Sequence, residues 1–95
     1  MKGYVVCVYK NITSEEKLKE YAVKARSAVE KYKGNFLIRG GNTTTNEGKV
    51  SPRTVVIEFP SYEEANLFYN SKEYQEAHDI LKGYAVRHHQ TVEGA

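Results

Sequence analysis

Two residues of opposite charge lie in segments that are otherwise apolar. Arg39 follows Phe-Leu-Ile, and Glu58 lies within Val-Val-Ile-Glu-Phe. A charge in an apolar strand is costly unless it is paired. If the intervening turn is centred on Gly48 and Lys49, the two side chains face each other across a hairpin. One interpretation is a salt bridge without further role, and the other is an arginine, held by a carboxylate, that binds an anionic ligand through two parallel hydrogen bonds.

A glycine pair, Gly40 and Gly41, follows Arg39 directly. Two glycines after a strand permit a bulge or a close approach of the backbone to a ligand. A simple bend of the chain is the interpretation that we favour. The pair is not a phosphate-binding loop, because the full glycine spacing and the Lys-Ser/Thr of that motif are absent.

The three histidines are candidates for a general base rather than for a metal site. His88 and His89 are adjacent in a predicted strand, so their side chains point to opposite faces and cannot share one ion. His78 lies on a predicted helix without a histidine or carboxylate at an obvious ligand spacing. We therefore expect no metal, and a single histidine near a pocket remains a possible proton acceptor.

Tyr69 and Tyr74 flank the pair Asn70-Ser71, where we expect a helix to be interrupted. A new helix start exposes backbone N–H groups at which an anion can bind. The alternative is ordinary capping of the second helix by Ser71. The single cysteine, Cys7, lies within the apolar run 4–9, which predicts a buried and inert thiol.

The elements that must position these residues are read from hydrophobic periodicity. We predict strands at about 3–10, 35–41, 54–59 and 86–92, and helices at about 15–32, after Ser61, and at about 72–82. Ser14 or Thr13 is the predicted N-cap of the first helix, and Gly34 its C-cap. The order βαββαβ predicts a single ferredoxin-like α+β domain over residues 1–95, with a four-stranded antiparallel sheet and both helices on one face.

The first strand is apolar on both of its faces, which predicts a homodimer. Tyr4, Val6 and Val8 form one set of alternating residues, and Val5, Cys7 and Tyr9 form the other. A strand that is covered on one side only should alternate apolar with polar residues. Because this strand is central in the predicted sheet, its second apolar face should be buried against a second copy. Coverage by the loop at 42–52 or by the C-terminal tail is the alternative.

Composition and charge exclude several classes of function. The 14 Lys and Arg residues are interspersed with 12 Asp and Glu residues, so no basic stripe predicts nucleic-acid binding. No apolar stretch reaches the length of a membrane span, and no signal peptide is recognisable at the N-terminus. We therefore expect a soluble, cytoplasmic protein.

Several short motifs carry a resemblance to a known family. They are Lys2-Gly3-Tyr4, Gly34 before Phe36-Leu37, Arg39-Gly40-Gly41, Glu58-Phe59-Pro60-Ser61 followed by Ala65, and the run from Tyr69 to Gln75. In order and spacing they resemble the domain-of-unknown-function family numbered 1330, except that the pattern has Pro at Lys72. The resemblance implies a dimeric α+β barrel, in which two ferredoxin-like sheets pack together. It implies no activity, and the Asn-Trp-His set of related quinone-type monooxygenases is incomplete because the chain has no Trp.

Two functional hypotheses follow from these observations. The first is a small-molecule binding protein, or an enzyme without a cofactor, with a pocket between sheet and helices for an acidic or polar aromatic ligand. We expect Arg39, Glu58, Tyr69, Ser71, Tyr74 and His78 to line it. The second is a structural or regulatory dimer without catalysis, in which Arg39 and Glu58 only pair with each other. An open cavity with Arg39 directed into it would favour the first hypothesis.

Overall fold

The computed structural model describes residues 1–95 and contains four strands and three helices. In chain order these are β1 (Gly3–Ile12), α1 (Glu15–Lys31), β2 (Asn35–Arg39), β3 (Arg53–Phe59), α2 (Tyr62–Asn70), α3 (Lys72–Leu81) and β4 (Ala85–Glu93). The strands form one antiparallel sheet in the order β2-β3-β1-β4. The predicted ferredoxin-like α+β fold is confirmed, with the second helix of the pattern divided into α2 and α3.

The helices cover one face of the sheet, and the core lies between them and that face. Val5, Cys7 and Tyr9 of the central strand β1 point toward the helices and are at most 2% exposed. The alternating residues, among them Val6 and Val8, lie on the other face, which no part of the chain covers completely. The two-sided apolar character of β1 therefore corresponds to one face in the core and one open face.

The centre of the core is a group of aromatic rings contributed by β3 and the two short helices. Phe59 packs on Phe68 with ring centroids 4.9 Å apart, and Phe68 packs on Tyr74 at 4.7 Å. All three side chains are 1% exposed. Full burial of such side chains contributes about 1.5–3 kcal/mol each, so these contacts hold α2 and α3 on the sheet.

The register of the β2–β3 hairpin differs from the predicted one. Arg39 lies opposite Val55, and Glu58 lies opposite Asn35. The predicted pairing of Arg39 with Glu58 is wrong because β2 already ends at Arg39, and an irregular loop, instead of an extended hairpin centred on Gly48 and Lys49, leads to β3. Gly40 and Gly41 have φ of 76° and 89°, and they form the bend that ends the strand.

Serine side chains begin the helices as expected. Ser14 Oγ accepts a hydrogen bond from Lys17 N at 3.1 Å, and Ser61 Oγ accepts one from Glu64 N at 3.1 Å. Each bond satisfies a backbone N–H that has no partner within its helix. The prediction of Ser14 as an N-cap is therefore confirmed.

The end of α1 departs from the predicted glycine cap. The residue in the left-handed conformation is Lys33, with φ 64°, and not Gly34. Gly34 N donates to Val29 O at 2.8 Å and Lys33 N donates to Glu30 O at 3.1 Å, which is the Schellman pattern. Gly34 is required for a different reason, because a Cβ there would lie 2.7 Å from Val29 Cγ1 and Phe59 Cε1.

The predicted break at Asn70-Ser71 is present between α2 and α3. Ser71 has extended backbone angles and ends one helix while it begins the next. Its hydroxyl donates to Phe68 O at 2.7 Å and accepts from Tyr74 N at 3.1 Å. Because Ser71 Oγ already satisfies this N–H, the geometry corresponds to the capping interpretation.

None of the three helices combines the length and the apolar character that a membrane span requires.

Candidate functional site

A cavity of about 130 Å³ lies between α1 and the covered face of the sheet. Its walls are mainly apolar and come from every strand, from α1 and from Phe68 of α2. The strands contribute Val5, Cys7, Tyr9, Phe36, Val55 and Ile57, and α1 contributes Leu18, Tyr21, Ala22, Ala25 and Val29. A small apolar space with a few polar groups is the usual form of a ligand site.

Three arginines, Arg39, Arg53 and Arg87, line the same cavity, and no Asp or Glu does. The ion pairs of the molecule are all elsewhere, on the surface of the helices. Arg39 packs its guanidinium 4.8 Å from the centre of the Phe36 ring. The cavity therefore combines apolar walls with a concentration of positive charge that the chain itself does not neutralise.

Arg53 and Arg87 occupy neighbouring positions because of strand register. Both lie directly opposite Tyr9, one on β3 and the other on β4. Their guanidinium carbons are 6.0 Å and 5.5 Å from the centre of the Tyr9 ring. The Nε atom of Arg53 is buried and has no hydrogen-bond partner. A buried donor without an acceptor is rare and requires an explanation.

Arg87 is held by two tyrosine hydroxyls. Its guanidinium donates to Tyr21 Oη at 3.0 Å and to Tyr74 Oη at 3.2 Å, and the two hydroxyls lie 2.9 Å apart. Burial raises the pKa of Tyr21 well above its usual value, and burial also raises that of Tyr74. Both hydroxyls therefore carry their protons at neutral pH.

Cys7 and His89 complete the polar part of the wall. Burial raises the pKa of the Cys7 thiol, which Arg87 opposes in part, so the expected buried and protonated cysteine is present. Burial and the charge of Arg87 lower the pKa of His89 to about 4. The imidazole is therefore neutral at pH 7. His88 lies on the other face of the sheet, as the alternation of the strand predicts.

Of the predicted site residues, only Arg39 lines the cavity. Glu58 lies on the opposite face, where Tyr4 Oη donates to its carboxylate at 3.1 Å. Because the sheet separates the two faces, Glu58 and Arg39 do not belong to one pocket.

The remaining predicted site residues do not line the cavity; they are Tyr69, Ser71, Tyr74 and His78. The Tyr74 ring is in the core, and its hydroxyl reaches the site only through Arg87 and Tyr21. Tyr69 packs on the His89 ring with centroids 4.9 Å apart, and it lines a shallow surface depression. Ser71 caps α3. His78 packs near Tyr74, and burial together with the Arg87 charge lowers its pKa.

The sequence interpretation did not select Arg53, Arg87 or Tyr21 as site residues. A signal for Arg87 was present, since it alternates with His89 in the last strand and both must point to one face. Arg53 is the first residue of β3 and precedes the predicted strand at 54–59, so strand alternation gives no direction for its side chain. The Tyr21 ring packs against the core under α1, and a core residue carries no signal of a site. No group of three or more His, Cys, Asp or Glu side chains is arranged to hold a metal ion.

The strand order and the single covered face define an α+β protein of the ferredoxin-like class, here with a cationic cavity under α1. The family model for the domain of unknown function DUF1330 matches residues 2–95. The chain belongs to that family, as the motifs around Arg39 and Tyr69 indicated. No curated protein matches the chain.

Solved structures with the same fold are distant in sequence. A protein of unknown function from Rhodopseudomonas palustris superposes with a TM-score of 0.77 at 11% identity, over 99% of this chain and 82% of that one. A dimeric ferredoxin-like protein of unknown function from Bacteroides fragilis gives 0.54 at 14% identity, over 98% and 96%. A candidate antibiotic biosynthesis monooxygenase from Caulobacter crescentus gives 0.58 at 11%, over 99% and 89%. These likenesses show the fold alone.

Proposed function

We propose that this chain binds a small anionic molecule with an apolar part in the cavity between the sheet and α1. The observation that carries the proposal is the presence of three arginines, and no carboxylate, in the wall of an apolar cavity. A guanidinium binds a carboxylate or a phosphate through two parallel hydrogen bonds. The apolar walls exclude water from part of the ligand, which favours a molecule that is not polar throughout.

The electrostatics of the cavity support an anion as the ligand. Two partly buried guanidinium groups of like charge flank one aromatic ring, and neither has a carboxylate partner. Confining like charges in a region of low dielectric costs free energy, and a bound anion offsets this cost. Binding of a cation would increase it.

The structural alternative, in which Arg39 serves only to pair with Glu58, is disfavoured by the register. Glu58 is on the other face, so the carboxylate that this alternative requires is absent from the cavity. The interior under α1 is also not filled, since a space of about 130 Å³ is left. Both observations favour binding over a purely structural role for Arg39.

Replacement of Arg39 tests the proposal because this side chain is at the exposed edge of the cavity and its loss should not unfold the protein. We expect Arg39→Ala to weaken the binding of small organic acids about tenfold, the usual effect of one lost charged hydrogen bond. Titration followed by amide chemical shifts measures this. Lys24→Ala is the control, since Lys24 is an exposed residue of α1 that does not line the cavity. If no acid perturbs the cavity residues, or if both variants behave alike, the proposal fails.

We further propose that the protein is a homodimer that packs its open sheet faces together. That face carries apolar side chains from all four strands, among them Val6, Ile38, Val56 and Val92, of which Ile38 and Val92 are 46% and 41% exposed. Structural neighbours from Bacteroides fragilis and Thermobifida fusca are described as dimeric. Size-exclusion chromatography with light scattering tests this proposal, and a monomer at micromolar concentration would contradict it.

A reaction without a cofactor in the same cavity stays a prediction, as does a cytoplasmic location. His89 is the histidine closest to a ligand bound there, because it lines the cavity and His78 does not. Its pKa of about 4 keeps the imidazole unprotonated at neutral pH, and for the same reason makes it a weak base.

A further inference from the structure

Arg53, Tyr9 and Arg87 form a row at one end of the cavity. Tyr9 is 1% exposed, and the two guanidinium groups flank its ring. The Nη1 atom of Arg53 also lies where a Cβ on Gly40 would be, at 2.5 Å, so the glycine leaves room for this guanidinium. Its Nε–H is a buried donor without an acceptor.

The hydrogen bonds around Arg87 leave one further hydroxyl proton without an acceptor. Arg87 donates to both Tyr21 and Tyr74, and one of these hydroxyls donates to the other. Tyr74 is 1% exposed, and its hydroxyl has no partner other than Tyr21 and Arg87. If Tyr21 donated to Tyr74, the Tyr74 proton would be buried without an acceptor, at a cost of about 1–3 kcal/mol.

The burial of Tyr74 therefore favours Tyr74 as the donor within the pair, which leaves the Tyr21 proton without an acceptor in the protein. Tyr21 lines the cavity, whereas Tyr74 does not, so the free proton is on the side of the cavity. The Tyr21 hydroxyl and Arg53 Nε–H thus belong to side chains that line the cavity, and neither donor has an acceptor in the protein.

We propose, as a refinement that rests on the proposed function, that the ligand is a monocarboxylic acid with a single ring. Its carboxylate accepts hydrogen bonds from Tyr21 and Arg53, and its hydrocarbon part lies against Ala25, Val29 and Phe68. A cavity of about 130 Å³ is slightly smaller than the apolar cavities of roughly 150 Å³ that hold one benzene molecule, so the volume limits the apolar part of the ligand to at most one ring. A phosphate, which lacks an apolar part, leaves these walls without contacts.

Benzoate, benzamide and 2-naphthoate are suitable probes, titrated into the full chain while amide and side-chain chemical shifts are recorded. Benzoate and benzamide have nearly the same shape, and they differ in charge. We expect benzoate to bind at least about tenfold more tightly than benzamide, since bonds to an ionised acceptor are about twice as strong as neutral ones. We expect 2-naphthoate, with its second ring, to bind at least about tenfold more weakly than benzoate.

Two variants test the donors. Tyr21→Phe removes the hydroxyl and should weaken benzoate at least about tenfold while leaving benzamide within about twofold. A merely structural role would weaken both probes together. Arg53→Lys keeps the charge and lacks the Nε–H, and we expect the same selective loss. Melting curves of the free variants establish that they fold, and if Tyr21→Phe does not, Arg53→Lys decides alone.

The failures of the two proposals are distinguishable. If benzamide or 2-naphthoate binds as tightly as benzoate and shifts the cavity residues, only the refinement is overturned. If no organic acid, of either size, shifts those residues, the proposed function itself is overturned. A loss of benzoate binding in Arg53→Lys and Tyr21→Phe, with the order of the three probes unchanged in Lys24→Ala, supports both proposals.

Discussion

At the scale of single residues, His89 is the titratable group whose environment has the clearest consequence for stability. It lies between the Tyr69 ring and Arg87, and no carboxylate lines its side of the cavity. Burial and the neighbouring positive charge both disfavour the imidazolium. The folded protein therefore binds this proton only near pH 4, whereas the unfolded chain binds it near the ordinary pKa of about 6.5.

This difference predicts a loss of stability in mild acid. Between pH 6.5 and 4 the unfolded state binds more protons, so the free energy of unfolding falls as the pH decreases through this range. Between pH 7 and pH 5, we expect the free energy of unfolding to fall by about 1–2 kcal/mol more in the unmodified protein than in the His89→Gln variant. Urea unfolding at the two pH values measures it.

His88→Gln is the matched control for this measurement, because His88 is the adjacent residue on the opposite, exposed face. The free energy of unfolding of the His88→Gln variant should depend on pH as it does in the unmodified protein. Equal slopes in the two variants would mean that His89 is not the group responsible.

At the scale of elements, the end of α1 contains a residue in an unfavourable conformation. Lys33 is exposed and adopts φ 64°, which a glycine adopts without strain. The Schellman hydrogen bonds around it depend on this conformation and not on the lysine side chain. The helix end is therefore a position where a substitution should increase stability.

We expect Lys33→Gly to increase the free energy of unfolding by about 0.5–1 kcal/mol, since relief of the left-handed strain exceeds the entropy cost of glycine. Chemical denaturation measures the change. Gly34→Ala is the contrasting variant, and we expect it to destabilise the protein by about 1–3 kcal/mol, because its Cβ would overlap Val29 and Phe59. A destabilised Lys33→Gly would contradict the strain argument.

At the scale of the whole molecule, the open face of the sheet is an apolar surface that the single chain does not cover. Val6 is at its centre, opposite Val56 on one neighbouring strand and Gln90 on the other. An apolar area in the middle of a sheet favours association, since burial of apolar surface is the main favourable contribution to most interfaces.

A charge at the centre of this face should prevent dimerisation. We expect Val6→Glu to be a monomer by light scattering at concentrations at which the unmodified protein is a dimer, because an unpaired carboxylate in an apolar interface is costly. Val23→Glu is the control, as Val23 is 72% exposed on α1, away from this face. A dimeric Val6→Glu, or a monomeric control, would contradict the proposed interface.

The sequence alone was sufficient for the fold and for the family, and it was insufficient for the site. Periodicity and capping residues are local properties, so the order of elements, the caps at Ser14 and Ser71 and the two-sided β1 could all be inferred. The register of β2 on β3 could not, because the end of β2 at the bend of Gly40 and the irregular loop that follows it are not set by local periodicity. That register removed Glu58 from the site.

Tertiary structure alone decided which charges share the cavity. Arg53 and Arg87 are far apart in the sequence, and they flank Tyr9 only because β1 pairs with β3 on one side and with β4 on the other. The donor that Tyr21 presents likewise depends on Arg87 and Tyr74, which come from different elements. Local patterns determined which face of each strand was buried, and the long-range pairing of strands determined that one face holds three arginines without a carboxylate.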